Sequence, residues 1–412
     1  MKAIVLCGGL PQIAAIKELQ RRGVEVILAD MNPKAIAVPY ADKFAQISTL
    51  DYEGIKKLAI DEKVDMLISV CADQMILVTS WVSEQLGLPT YIDYETAKNV
   101  SSKEYMKRLF IEGGVPTSKY IVRAELTEQD INGMSYPLIT KPVDAYSSKG
   151  VRKVNNWEEL KLAFDNAVEI SRTKTAIVEE FVGGKEYTID VYVEEGEAKV
   201  LCIGVLDKIP QEGKFVICRG RYPSGLSSEL KDKIREAAQK IADAFKLKNT
   251  PMLIQLKIDD NKVRVIEFCA RTGGGIKYRL IPQISGFDVV KAVIDLTLGM
   301  KPHVEEYVDD AHIINEFIYC KPGILNHVEG FEELLRDGII DDYFVFKPNG
   351  YEFGEIKSSG DRLAYFSVSA DNDEELKNKH AVAASRVKAF NSKGEDLIFH
   401  DYMMIQNKKY SI

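Results

Sequence analysis

With 412 residues, 46% of them hydrophobic and 28% charged, the chain has the balance of a globular protein and enough length for two to four domains at roughly 100–200 residues each. A net charge of -8 excludes a broad nucleic-acid surface, because phosphate backbones are held by an excess of Lys and Arg. The six cysteines, Cys7, Cys71, Cys202, Cys218, Cys269 and Cys320, form no CxxC pair and sit in apolar runs, so they read as reduced, buried thiols.

Residues 1 to 95 alternate short apolar runs with amphipathic stretches: KAIVLC, AAIKELQRRG, VEVILAD, YEGIKKLAIDEK and VDMLISV. This βαβα rhythm predicts a parallel sheet with helices on both faces. The apolar start runs into a Gly-Gly turn and a charged helix, so it does not read as a signal peptide, and no later run is apolar enough to span a bilayer. A cytoplasmic location is expected. At TAKNVSSKEYMKRLFIEGGVPTSKY a new unit begins, with Ser101 or Ser102 capping a helix that Gly113-Gly114 ends.

From about 120 to 275 strands dominate: YPLITKPV, TAIVEEFV, EYTIDVYV and KVLCIGVL, with the helix WEELKLAFDNAVEISR between the first two. A further helix places Leu230, Ile234, Ala237, Ile241 and Phe245 on one stripe, and a hairpin follows. From about 301 the strand-like runs FIYC, YFVFK, FGEIK and LAYFSVSA precede the helix DEELKNKHAVAASRVKAF, which reads as another α+β unit.

The hairpin MLIQLKIDDNKVRVIEFCAR carries the sharpest constellation. A three-residue loop Asp260-Asn261-Lys262 sets Asp259 opposite Val263 and Gln255 opposite Glu267, so that the two polar side chains share one face. Such an oxygen pair suits Mg²⁺, which keeps most of its coordination for water and phosphate oxygens; a solvated hairpin face is the plainer alternative. Beyond it, Arg271 ends the strand and Gly273, Gly274 and Gly275 expose backbone donors for an anion.

In YPLITKPVDAYSSKGV, Lys141 ends a buried-looking strand and needs an anionic partner, while Ser147, Ser148 and Lys149 form a polar turn suited to covering phosphates or simply to facing solvent. In AIVEEFVGGKEYTIDVYV, Glu179 and Glu186 can accept from an adenine amino group or ribose hydroxyls, and the backbone at Phe181 and Val182 can pair with the ring edge. Lys103 reads as a phosphate ligand or a helix surface charge. Arg219 and Arg221 in FVICRGRYPSG read equally as a carboxylate grip or as an exposed basic hairpin. CGGLPQ lacks the GxGxxG of a dinucleotide site, the histidines show no HExxH spacing, and no GxSxG elbow is present.

Together these motifs resemble the ATP-grasp superfamily over about residues 1–300, in the branch of carbamoyl phosphate synthetase, biotin carboxylase and amino-acid ligases. The resemblance implies an α/β and α+β multidomain chain with an ATP-grasp fold. Its parts are an N-terminal Rossmann-like pre-ATP-grasp domain over 1–95, an ATP-grasp domain over 96–300 with a lid over about 118–185, and a C-terminal α+β domain over 301–412. It also implies ATP with Mg²⁺, or Mn²⁺ in its place. Lys103 and Lys141 then match phosphate-binding positions, Ser147, Ser148 and Lys149 the lid loop, and Glu179, Phe181, Val182 and Glu186 the adenosine site. Gln255 and Glu267 match the metal ligands, and Arg271 the arginine that faces the transferred phosphoryl group. The acceptor site falls beside Gly273 and Gly274, with Arg219, Arg221 and Arg271 as substrate ligands. Two departures stand out: the lid loop is AYSSKG rather than glycine-rich, and Cys269 occupies the place of a metal-binding asparagine.

The expected activity is carboxylate–amine ligation through an acyl phosphate, forming an amide such as a dipeptide bond, on small-molecule carboxylate and amine substrates. A bicarbonate-activating carboxylase or carbamoyl-phosphate type of enzyme and an ATP-binding module with little turnover are the alternatives. Neither nucleic acid nor membrane is expected as a partner, and a homodimer remains open.

Overall fold

A computed structural model describes residues 1–144, 150–209, 216–305 and 311–403. Strands β1 (Lys2–Leu6), β2 (Glu25–Asp30), β3 (Lys43–Gln46) and β4 (Met66–Ile68) form a parallel sheet ordered β3-β2-β1-β4, with helices α1 (Leu10–Arg21), α2 (Tyr52–Glu62) and α3 (Asp73–Leu86). Both faces are covered: Ala3 and Val5 join one apolar cluster, Ile4 and Leu6 another. That is why β1 reads as an unbroken apolar run. KFAQ, at the edge, carries too little apolar content to be read as β3.

Helices α4 (Tyr94–Ser101) and α5 (Lys103–Glu112) lead into a second sheet. Ser102 caps α5, its side chain accepting from the backbone N–H of Tyr105 at 3.3 Å. The second sheet holds β5 (Tyr120–Arg123), β6 (Leu138–Pro142), β7 (Arg152–Val154) and β8 (Ala176–Glu180) in the order β5-β8-β6-β7. Against it lies α6 (Trp157–Ile170), whose Leu160, Phe164 and Ala167 join Leu138, Val154 and Val178 in a small core of their own. Gly183 and Gly184 carry the chain out of this sheet. Gly184 has φ +75°, and a Cβ there would lie 2.1 Å from the Ile258 carbonyl oxygen, so only glycine fits.

The third and largest sheet takes β9 (Lys185–Glu194), β10 (Glu197–Lys208) and β11 (Ile217–Tyr222), then, after α7 (Ser228–Ala244), the hairpin β12 (Thr250–Asp259) and β13 (Lys262–Cys269). Helices α8 (Lys277–Ser285) and α9 (Val289–Thr297) precede β14 (His312–Ile318). The remaining described elements are β15 (Gly323–Ile324), β16 (His327–Glu329), α10 (Phe331–Arg336), β17 (Asp342–Val345), β18 (Glu352–Phe353), β19 (Ala364–Ala370), α11 (Asp373–Arg386), β20 (Lys388–Phe390) and α12 (His400–Met403). The predicted stripe of α7 is buried together with Ile254, Leu256, Val265 and Phe268 of the hairpin.

The third sheet has eight strands in the order β13-β12-β9-β10-β11-β14-β19-β17. The strands of the α+β unit expected after 301 join this sheet: β14, β19 and β17 extend the strands before 300 and cover the edge that β11 would otherwise expose. The long helix read in DEELKNKHAVAASRVKAF stops at Arg386, and Lys388–Phe390 pair as β20 with β16. Of FGEIK only Glu352–Phe353 pair, with Gly323–Ile324.

Candidate active site

One face of the large sheet packs on α7; the other looks into a cavity of about 410 Å³ bounded by the second sheet, α5, α8 and the Gly273–Gly275 turn. The β12–β13 hairpin supplies its acidic wall. Gln255 and Glu267 are cross-strand partners as the sequence predicts, but the ladder reaches them differently. The turn is two residues, Asp260 and Asn261, with φ of +43° and +60°, which pairs Asp259 with Lys262 and Ile258 with Val263. This is the primed geometry that matches strand twist. One residue later in register, Leu256 pairs with Val265 and Gln255 with Glu267, so Ile266 is the extra residue of a β-bulge. The bulge resets the alternation: Val263 and Val265 face the core, and so do Phe268 and Ala270, while Glu267, Cys269 and Arg271 line the cavity.

Lys103, the first residue of α5, lines the cavity with its Nζ 3.9 Å from Glu267. Lys141, on β6, pairs with Glu179 at 2.5 Å. Glu179 is also bound by Lys107 at 2.6 Å and accepts from the Ser118 hydroxyl at 2.7 Å. Burial opposes ionisation of Glu179, yet the two ammonium groups outweigh it and hold the carboxyl well below its usual range. Burial lowers Lys107 despite Glu179, whereas in Lys141 Glu179 and Glu267 overcome burial and raise it. Glu179, expected as an adenosine ligand, thus lines the cavity while positioning two lysines.

Phe181, Val182 and Glu186 line the cavity, as Glu179 does. The Val182 carbonyl accepts from Lys257 at 2.8 Å, and the Phe181 ring lies between Lys153 and Lys257 at 4.3 and 4.5 Å. Burial, with Lys208 next, lowers Lys257 to about 8. Glu186 pairs with Lys208 at 2.5 Å. Ser147, Ser148 and Lys149 lie outside the described residues.

Arg271 does not stand free at the strand end. Its Nε and one terminal nitrogen donate to Asp73, at the start of α3, and the other donates to the Thr272 carbonyl at 2.6 Å. Burial opposes the charge on Asp73, but Arg271 prevails and lowers its carboxyl. Beside this pair, Gly273 and Gly274 line the cavity. A Cβ on Gly273 would lie 2.9 Å from Asp190 Oδ1 and from Lys277 Cγ, so a bare backbone is what lets the turn pass. Lys277 donates to Asp190 and, at 2.7 Å, to the Tyr222 hydroxyl.

Arg219 and Arg221, expected as substrate ligands, are not brought to the cavity. Among β11 residues Ile217, Gly220 and Tyr222 line the cavity and the two arginines do not; a bulge at Cys218 puts Ile217 on the same side as Gly220 and Tyr222. Arg221 is forked onto Asp207 at 2.8 and 3.0 Å. Arg219 is buried, donating to Glu316 at 2.5 Å and to the Met403 carbonyl at 2.9 Å; Glu316 is also 2.8 Å from His380 Nε2.

Contributors unread in the sequence include the cavity-lining Lys208, Lys257 and Lys277, and also Lys107, Asp73 and Arg362. Lys107 shares the buried stripe of α5 with Met106 and Phe110, and a lysine on an apolar stripe is the signal that could have found it. Asp73 gave none. Arg362, just before β19, reaches the cavity with its guanidinium 3.8 Å from the centre of the Phe317 ring and its Nε donating to the Tyr319 hydroxyl at 3.0 Å. No carboxylate pairs with it among the described residues.

The donor set suits one hard divalent cation. Gln255 and Glu267 offer two oxygens on one face of the hairpin, which leaves the other positions of Mg²⁺ to phosphate and water. Cys269 adds nothing: burial, then Asp73, push its thiol well up, so it stays protonated, and sulfur is a poor partner for magnesium. Among the described residues no cluster of three or more His, Cys, Asp or Glu side chains could hold a metal ion, and no helix is long and apolar enough to cross a membrane.

Residues 134–279 match the ATP-grasp domain model, and residues 316–390 match L-amino acid ligase C-terminal domain 2. Formate-dependent phosphoribosylglycinamide formyltransferase of Shewanella frigidimarina is 29% identical over 251 residues, 60% of this chain and 62% of that protein, so less than two thirds of the relative is spanned. Among solved structures, L-amino acid ligase from Bacillus licheniformis superposes with a TM-score of 0.80 at 20% identity, covering 95% of this chain and 98% of that one. The biotin carboxylase domain of Hydrogenobacter thermophilus 2-oxoglutarate carboxylase, solved with MgADP and bicarbonate, gives 0.77 at 17% identity, covering 94% and 90%. Likenesses at these identities establish the fold. The domain match falls on the strands that build the cavity and the second match on the segment that extends their sheet, so residues 134–279 carry an ATP-grasp domain and residues 316–390 an L-amino acid ligase C-terminal domain 2.

Proposed function

We propose that this chain is an ATP-dependent carboxylate–amine ligase, joining two small molecules through an amide, as in a dipeptide, by way of an acyl phosphate and with release of ADP and phosphate. The observation that carries this reading is convergence: Lys103, Lys141, the Gln255–Glu267 pair and Arg271 come from four chain segments to line one cavity.

The nucleotide's base lies at the Phe181–Val182 end and its phosphates run toward Lys103 and Lys141. A carboxylate held near Arg271 attacks the γ-phosphorus in line; its oxygen gains the P–O bond that the leaving ADP gives up. Such a reaction asks the protein mainly to position partners and neutralise charge. Lys141 is fixed for this by Glu179, and Arg271 by Asp73. Mg²⁺ held by Gln255 and Glu267 would neutralise charge on the phosphate oxygens. The amine nitrogen then attacks the acyl carbon beside Gly273 and Gly274, phosphate departs, and the amine proton leaves with it. Arg362, stacked on Phe317 and lacking a carboxylate partner among the described residues, takes the carboxylate of the incoming amino acid.

The test is a screen of amino acids and small carboxylates for stimulated release of ADP and phosphate, with mass spectrometry for the amide. Stimulation by bicarbonate alone would replace this reading with a bicarbonate-activating one. ATP binding without stimulated release across the screen would replace it with a binding module.

A further inference from the structure

A second chamber, of about 350 Å³, is lined in part by α8 and shares Ile276, Leu280 and Asn315 with the main cavity. Asn315 is 2% exposed, and its Oδ1 has no hydrogen-bond partner. A buried acceptor without a partner is costly, so a ligand or an ordered donor is called for. Asn315 precedes Phe317 by two residues on β14, which puts both on one face of the strand about 7 Å apart. Arg362 stacks on that same Phe317. An amino acid whose carboxylate rests on Arg362 therefore has room to lay its side chain along β14 toward Asn315.

The charge of the chamber is one-sided, its other polar residues, Gln283 and Ser367, being neutral. Its cation, Arg279, is committed to Asp342, which also accepts from the Tyr365 hydroxyl at 2.5 Å. Asp341, at the mouth, has no ion-pair partner among the described residues. Arg279 and Asp342 cancel, leaving one negative charge from Asp341 and an open acceptor at Asn315. What fits is a group that brings N–H donors and a positive charge.

Resting on the ligase reading above, we propose that this chamber receives the side chain of the attacking amino acid and selects one that ends in an ammonium or guanidinium group. The specificity determinants are Asn315, at the inner end, and Asp341, at the mouth.

Binding of L-lysine and of L-norleucine, which lacks the terminal ammonium group, is to be measured by calorimetry on the full chain, with and without MgADP. Amino-acid-stimulated ADP release is to be read on the same samples. The expected result is lysine binding at least tenfold tighter than norleucine, with that ratio collapsing toward one in Asn315→Leu and in Asp341→Asn. The second variant is isosteric and at an exposed position, so it reports even if the first fails to fold. No lysine binding, norleucine binding as tightly as lysine, or a preference untouched by Asp341→Asn overturns the proposal. The two readings separate cleanly. Stimulated ADP release that favours norleucine leaves the ligase and removes the chamber; lysine-selective binding with no stimulated release leaves the chamber and removes the ligase.

Discussion

Glu267 is the side chain whose charge the proposed chemistry can least spare, because it is the carboxylate of the cation site and also faces Lys103. Glu267→Gln is expected to lower turnover at least about a hundredfold, near 3 kcal/mol of transition-state stabilisation, while the melting temperature stays close to that of the parent. Near-normal ADP release in that variant would remove the metal assignment. Glu179 acts differently, through Lys107 and Lys141. Its folded carboxyl titrates well below the unfolded one, so the stability it brings is complete above about pH 4.5 and is lost as the pH falls below that. Denaturant titrations between pH 6 and 3 should show stability falling with acid in the parent and a shallower fall in Glu179→Gln. At pH 7 the same variant should be less stable by about 3–5 kcal/mol, because two buried ammonium groups lose their counter-charge. A parallel acid limb in the two proteins would contradict this account. At this scale Lys141, Glu267 and Arg271 were legible, since a charge closing an apolar strand is anomalous in the sequence itself. The Asp73–Arg271 pair was not, for its members are 198 positions apart.

Among the elements, the β12–β13 hairpin shows how a right pairing can be reached from a wrong turn. A three-residue loop with an unbroken ladder and a two-residue turn with a bulge at Ile266 both set Gln255 against Glu267. Only the second also keeps Val263 and Val265 in the core. Turn residues are visible in a sequence; an unpaired residue inside a strand is not, because its cause is what packs on either face. The Gly183-Gly184 joint is sharper still. Gly184→Ala should cost about 1–3 kcal/mol from its left-handed backbone alone, and more from the clash with Ile258, read as a lowered melting temperature. Gly183→Ala, where φ is not left-handed and the nearest atom is the flexible Asp259 carboxylate at 2.9 Å, should cost less. Equal losses in the two variants would show that the close approach is not what fixes glycine there.

At the level of the whole molecule, the segment after 301 is bound into the central sheet rather than appended to it, and Arg219 is part of the fastening. Through Glu316 it meets His380 of α11, and through the Met403 carbonyl it ties down α12. Arg219→Ala should therefore destabilise the protein by about 3–5 kcal/mol, the cost of stranding a buried charge, while the KM of the folded enzyme for its substrates stays within about twofold. A large rise in KM without loss of stability would restore Arg219 as a substrate ligand.

The sequence by itself determined the main strands and helices, the apolar stripe of α7, the parallel N-terminal sheet and the positions of several cavity charges, because each follows from local periodicity or from a charge out of place in an apolar run. Tertiary structure alone decided which face of β11 looks inward, which carboxylates are already taken by lysines and arginines, and that a late arginine, Arg362, enters a cavity built mostly from residues before 300. Those outcomes depend on partners distant in the chain, and spacing along a chain carries no information about which of them meet.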